Sequence, residues 1–242
     1  TTASNNVAVG HNALTANTTG AGNIAVGKNS LDANTTGGTN TGVGHYALSS
    51  NTTAGFNTGI GNASLQTTTV GHSNTAVGSS SLNALTTGDF NVAVGYNAGL
   101  AMTTGDRSIA IGPESLDACT TGQYNVGIGS SALGSLTTAD DNVAIGVNAG
   151  AAITTGHSNT AVGAYSLDAN TTANDNTAMG KYSLSSNTTG AANTAIGKDA
   201  LAANTTAANN TAVGKSALLA NTTGAGSVAV GTGALSACTT GG

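Results

Sequence analysis

Asn74-Thr75-Ala76-Val77-Gly78 is one copy of a motif that returns, with small changes, from one end of the chain to the other. Its glycine falls at Gly10, Gly27, Gly44, Gly61, Gly78, Gly95, Gly112, Gly129, Gly146, Gly163, Gly180, Gly197, Gly214 and Gly231. Each step is 17 residues, without insertion or deletion, so 14 repeats fill nearly all of the 242 residues. A strict short period marks a quasi-one-dimensional array, in which each unit stacks on the next.

Counting the motif asparagine as position 1, position 1 is Asn in 12 of the 14 repeats and Ser at Ser108 and Ser227. Position 2 is Val, Ile or Thr, position 3 Ala or Gly, and position 4 a large apolar residue throughout, from Val9 to Val230. Position 5 is always Gly, position 8 Ala or Ser, and position 9 Leu in 12 of 14. Positions 13 and 14 are Thr-Thr, with Val70 the one exception. Position 15 is Gly or Ala, and positions 6, 7, 10, 16 and 17 vary and hold almost all the charge.

Branched residues at 2 and 4 alternate with small ones at 3 and 5, the period of a short strand. Thr-Thr suits a second extended segment, and the glycines mark bends. A helix fails, because Gly and Thr are poor helix formers and no unit is long enough without them. The expected fold is therefore all-β, a parallel β-solenoid of 14 coils with 17 residues per coil, stacked ~4.8 Å apart. Equivalent residues such as Val77 and Val94 should be direct partners. Val or Ile at position 4 and Leu at position 9 are expected to form the core. Asn at position 1 is expected to form a stacked amide ladder, and one Thr of each pair to point inward.

The middle of the array departs from the pattern. Position 12 is Asn near both ends but Thr68, Leu85, Met102, Cys119, Leu136 and Ile153 between. Position 9 loses its Leu at Gly99 and Gly150, in the repeats carrying Met102 and Ile153. A side chain from position 12 is expected to fill the vacated volume, since interiors stay close-packed. Cys119 and Cys238 both occupy position 12 and form no Cys-x-x-Cys motif. They read as small buried hydrophobes, and seven coils put them about 34 Å apart, beyond disulfide reach.

Charged residues are 6% and the net charge is −5, which excludes the polybasic footprint of a nucleic-acid binder. No apolar run is long enough for a membrane helix. The chain starts and ends in mid-repeat without polar capping repeats. Residues 1–242 therefore read as a single repeat array excerpted from a longer fibre.

These residues resemble the head repeats of YadA-like trimeric autotransporter adhesins, with their recurring Ser-Val-Ala-Ile-Gly strand. They are similar also to the Asn-Thr-Ala-Val-Gly…Asn-Thr-Thr-Gly repeats of phage tail fibres and related virion or surface proteins. The resemblance covers the whole chain and implies a left-handed parallel β-roll. It also implies three chains side by side and an extracellular role in a virion fibre or on a cell surface. The 17-residue unit is longer than the adhesin-head unit.

No catalytic constellation, cofactor motif or metal-ligand spacing is present, and the reading is that of a non-enzyme. His11, His45, His72 and His157 read as solvated. Asp89 and Asp106 stack at position 16, with Asp140 and Asp141 further on, and the calcium-binding nonapeptide of other β-rolls is absent. Lys181, Lys198 and Lys215 stack at position 6, and Tyr165 and Tyr182 at position 7. These five are the candidate surface-binding residues, toward a host-surface glycan or a protein receptor. Phe90, Tyr96 and Tyr124 lie near the same edge. The Asn-Thr-Thr triplets match the glycosylation sequon, but stacked coils would crowd the glycans.

The expected function is a structural fibre module, a rigid spacer or display surface. The alternative is an ice-binding solenoid, since 41 of the 242 residues are Thr. A 17-residue coil encloses a thin core, and the strand alternation offers a second uncharged stripe. The expectation is a parallel homotrimer contacting through positions 1 to 5.

Overall fold

The computed structural model describes residues 3–240. Among them the only regular elements are fourteen three-residue strands, one per repeat. The chain divides into two compact units, Thr1–Gln123 and Tyr124–Gly242. The first carries β1 (Val7–Val9), β2 (Ile24–Val26), β3 (Thr41–Val43), β4 (Thr58–Ile60), β5 (Thr75–Val77), β6 (Val92–Val94) and β7 (Ile109–Ile111). The second carries β8 (Val126–Ile128), β9 (Val143–Ile145), β10 (Thr160–Val162), β11 (Thr177–Met179), β12 (Thr194–Ile196), β13 (Thr211–Val213) and β14 (Val228–Val230). Coil n is the repeat that carries βn.

Within each unit every strand pairs in parallel with the strands of the adjacent repeats, and the register is one repeat. Thr75, Ala76 and Val77 face Val92, Ala93 and Val94, and Thr177, Ala178 and Met179 face Thr194, Ala195 and Ile196. The fold is the all-β parallel solenoid that the period predicts. Coil-to-coil bonds continue beyond the strand. The position-9 amide donates to the next coil at position 8, as from Leu48 to Ser64 at 3.0 Å, and position 13 to position 13, as from Thr35 to Thr52 at 2.8 Å. Among the described residues no second strand forms at Thr-Thr.

The core is not the one that hydrophobicity alone suggests. Positions 1, 3, 8, 9, 12 and 15 are buried in the inner coils, whereas the Val, Ile or Met at position 4 is half-buried or exposed. The cross-section explains the inversion. A Cβ on Gly42, at position 3, would already stand 3.3 Å from Leu31 Cγ and 2.6 Å from Ser30 Oγ. Leucine from the opposite wall fills the interior, and position 3 has room for a methyl group at most. The branched residues must therefore face out.

The threonine pair also differs from expectation, because neither residue points into the core. Position 13 is half-buried in the inner coils and position 14 is exposed in every coil. The position-13 hydroxyl donates to the position-13 carbonyl of the next coil, as from Thr35 to Thr52 at 3.0 Å. Positions 12 and 15 flank the pair and are the ones that turn inward.

The asparagine ladder forms as predicted. Asn74 Nδ2 donates to Asn57 Oδ1 at 3.3 Å and to the Gly88 carbonyl at 2.8 Å, and its backbone amide donates to Asn57 Oδ1 at 2.8 Å. A second ladder runs along position 12 where that position is Asn: Asn51 Nδ2 donates to Asn34 Oδ1 at 2.8 Å. It stops at Thr68, whose hydroxyl donates to the Leu85 carbonyl instead, and Asn51 Oδ1 is left buried without a partner.

The vacated volume at position 9 is filled in two ways. At Gly150, Ile153 Cδ1 stands 2.9 Å from where a Cβ would lie, as expected. At Gly99 the nearest atom is Leu82 Cδ2 at 2.8 Å, so the preceding coil fills the gap and Met102 does not. Met102 lies against Gly105. Both cysteines are thiols, and Cys119 is buried with its Sγ 3.7 Å from the Gly122 carbonyl.

Position 10 holds three aspartates with raised pKa, Asp32, Asp117 and Asp168. Loss of water around each carboxyl pushes it above the usual 3.8, partly offset by nearby backbone amides. Glu114 adds repulsion at Asp117. Asp168 Oδ1 is buried with no hydrogen-bond partner. A raised folded-state pKa means the folded chain holds the proton longer than the unfolded one, so stability falls as pH rises through that window. Asp168→Asn is expected to melt higher than the parent at neutral pH. The gap should close as pH falls below the ordinary carboxylate value of 3.8, where the carboxyl is protonated in the folded and unfolded chain alike. Thermal melts at several pH values check this, and a gap that persists in acid would refute the cause.

Candidate functional site

Three outward surfaces carry side chains that can meet a partner. The first is the strand face. Positions 2 and 4 project there together, because alternate residues of a strand share a face. In unit 1 it presents Ile60, Val94 and Ile111, in unit 2 Ile145, Met179 and Ile196, each between 37% and 42% exposed. Positions 1 and 3 of the same strand segment are buried inside the coil. Of positions 1 to 5, through which contact is expected, positions 2 and 4 are the ones whose side chains face out. No charged residue occupies either position in any repeat.

The second surface is the edge at positions 6 and 7. Tyr165 and Tyr182 stack with ring centroids 5.4 Å apart at 23°. Lys181 Nζ lies 4.8 Å from the Tyr182 centroid, a cation–π contact. Lys198 Nζ approaches Asp199 Oδ2 at 3.5 Å, an exposed pair of small energetic weight. The structure therefore brings Tyr165, Tyr182 and Lys181 into one cluster. It gives Lys198 a partner outside it, and Lys215 joins only by its place in the position-6 ladder.

The third surface is the edge at positions 16 and 17. Here a side chain at position 16 caps the position-16 amide of the preceding coil. The Gly55 amide donates to His72 Nδ1 at 2.9 Å, that of His72 to Asp89 Oδ1 at 2.6 Å, and that of Asp89 to Asp106 Oδ1 at 2.7 Å. In the second unit the Asp140 amide donates to His157 Nδ1 at 3.0 Å and that of His157 to Asn174 Oδ1 at 2.8 Å. His72 and His157 are exposed, as solvated residues should be, yet each accepts a backbone proton, which composition could not reveal.

Position 17 is left-handed in coil after coil, with Phe56 at φ 63° and Phe90 at φ 58°. Phe56 and Phe90 are 67% and 54% exposed, and Arg107 Cζ lies 5.4 Å from the Phe90 ring centroid. Phe56 shares position 17 with Phe90 and Tyr124 at steps of two repeats, and that spacing is the sequence signal that finds it.

Among the described residues, no three His, Cys, Asp or Glu side chains gather closely enough to hold a metal ion. None forms a helix long and apolar enough to cross a membrane. Comparison of the chain with protein-family models, with curated proteins and with solved structures finds no match to any of the three.

Proposed function

We propose that this solenoid is a structural fibre module. It would serve as a stiff spacer or display segment in a phage tail fibre or a cell-surface adhesin, outside the cell. It works by associating with copies of itself. The observation that carries this reading is the strand face, a ladder of uncharged branched side chains that the coil cannot take inside. Such a contiguous apolar stripe is of the kind found at interfaces. Parallel association through a self-complementary stripe closes most simply as a ring, and the resemblance to adhesin heads and tail fibres makes that ring a trimer.

Light scattering on the purified chain tests it. The expected mass is three times 22.9 kDa. Ile60→Lys with Val77→Lys plants charges in the outward face of β4 and β5 and is expected to yield a folded monomer with an unchanged circular dichroism spectrum. A parent chain that stays monomeric at micromolar concentration overturns self-association and leaves the solenoid intact.

A second reading, ice binding, draws on position 14, where an exposed residue, threonine in all but one coil, faces out along each unit. It offers only one outward threonine per coil there, a narrow face. Inhibition of ice recrystallisation at micromolar protein would favour it over the fibre.

A further inference from the structure

We propose that the edge at positions 16 and 17 of coils 3 to 6 is a binding strip for a neutral, linear glycan, with Phe56 and Phe90 as its stacking platforms. This strip lies on a different set of positions from the strand face and does not depend on self-association.

Position 17 does not need an aromatic residue. In the other coils it is glycine, threonine, serine, arginine, aspartate, alanine or asparagine, with Tyr124 the one further aromatic, all in the same left-handed conformation. That conformation disfavours bulky side chains. Phe56 and Phe90 therefore sit where the backbone resists them and where water, not core, surrounds them. Neither burial nor local propensity accounts for their presence, whereas contact with a ligand does.

The strip is held rigid. The Phe56 amide donates to the Gly38 carbonyl at 3.2 Å, Ser73 to Gly55 at 3.2 Å, Phe90 to His72 at 3.1 Å and Arg107 to Asp89 at 3.0 Å. Two coils separate the two rings, about 9.6 Å at the stacking distance. That is close to the reach of a disaccharide unit in an extended polysaccharide. Ser73 lies between the rings, and beside them run Asp89 and Asp106. One oxygen of each carboxylate accepts a backbone amide, and the other takes no bond among the described residues. Arg107 Cζ stands over one face of Phe90 at 5.4 Å from the ring centroid, so a ligand stacks on the other.

Rings for the apolar faces of sugars, beside carboxylate and hydroxyl groups for their hydroxyls, are what an extended glycan requires. A protein partner would favour a contiguous apolar centre with a polar rim, and Ser73 interrupts any such centre. Two carboxylates against one guanidinium disfavour sulfated or uronic chains.

The test titrates the whole chain with cellohexaose, chitohexaose and a heparin hexasaccharide, followed by calorimetry. One of the two neutral hexasaccharides is expected to bind. Phe90→Ala should weaken it about tenfold or more, the effect of uncovering one aromatic ring. Phe56→Ala should weaken the hexasaccharide similarly while leaving the corresponding disaccharide unchanged. Both variants are expected to fold, because Ala192 already occupies this position at φ 56°. Failure of both neutral chains to bind, tighter binding of heparin, or undiminished binding by the Phe56→Ala/Phe90→Ala double variant would each overturn the proposal. So would a drop in melting temperature on Phe90→Ala, which would make that ring a packing residue.

Discussion

Gly78→Ala is expected to destabilise the chain by about 4 kcal/mol, far more than an exposed glycine substitution should. Position 5 runs at φ +136°, a region nearly closed to residues with a Cβ, which by itself costs about 1–3 kcal/mol. The added Cβ would also stand 2.4 Å from the Gly95 carbonyl oxygen and 2.7 Å from its carbon. Those are backbone atoms in a paired ladder and cannot rotate aside, so overpacking adds a similar amount. Gly22→Ala is the control. It too changes a glycine of positive φ, +72°, but the nearest atom to its Cβ is 3.7 Å away, and a cost of about 1 kcal/mol is expected. Urea unfolding of the two variants decides the matter, and equal losses would refute the role given to the stacked carbonyls.

The second large effect falls on the buried amides, and it depends on the coil. Asn74 serves three groups: the Gly88 carbonyl, Asn57 Oδ1 and, through its own Oδ1, the Asn91 amide at 2.9 Å. Position 12 of that coil is Leu85, so no second amide reaches Gly88. Asn176 serves the equivalent carbonyl and amide, Gly190 at 2.9 Å and Asn193 at 3.0 Å. There, however, Asn187 Nδ2 also donates to Gly190, again at 2.9 Å. Each buried group left without a partner costs about 1–3 kcal/mol. Asn74→Ala strands a carbonyl and an amide and is expected to cost about 4 kcal/mol. Asn176→Ala strands the amide alone and is expected to cost about 2 kcal/mol less. Denaturant melts give both values. Adding Leu85→Asn to Asn74→Ala should recover part of the loss, and no recovery would mean that the carbonyl was never the costly group.

Much of this was legible in the sequence. The 17-residue period fixes the register, because any slip would misplace every glycine of position 5. The asparagine repeated in 12 of 14 coils announces its ladder, since a polar residue recurring so often on a strand implies a partnered amide. What alternation could not decide was which face turns inward. Ala76 and Val77 differ in bulk, and bulk normally means core. The answer depends on how far away the opposite wall stands, and Leu82 and its equivalents come from a wall too close for valine. The left-handed residues were also hidden. Leu82 at φ 46° and Phe90 at φ 58° are not types that favour this region, and only the coil-to-coil bonding holds them there. The proposed glycan strip was legible as Phe56 and Phe90 at one repeat position, whereas their exposure was not. Its capping residues His72, Asp89 and Asp106 look like ordinary solvated residues until the position-16 amides are seen to need acceptors.

Because each coil bonds to residues about 17 positions away, no step of assembly requires distant parts of the chain to find one another. Loop-closure entropy rises only with the logarithm of loop length, so every new coil meets the same modest barrier as the one before it. The demanding event is the first pair of coils, which must order two turns of backbone with only one interface between them. After that, growth is templated by an edge already in place. A chain leaving the ribosome can therefore lengthen its folded portion in step with synthesis, and its folding time grows with coil count roughly as a sum rather than through a search.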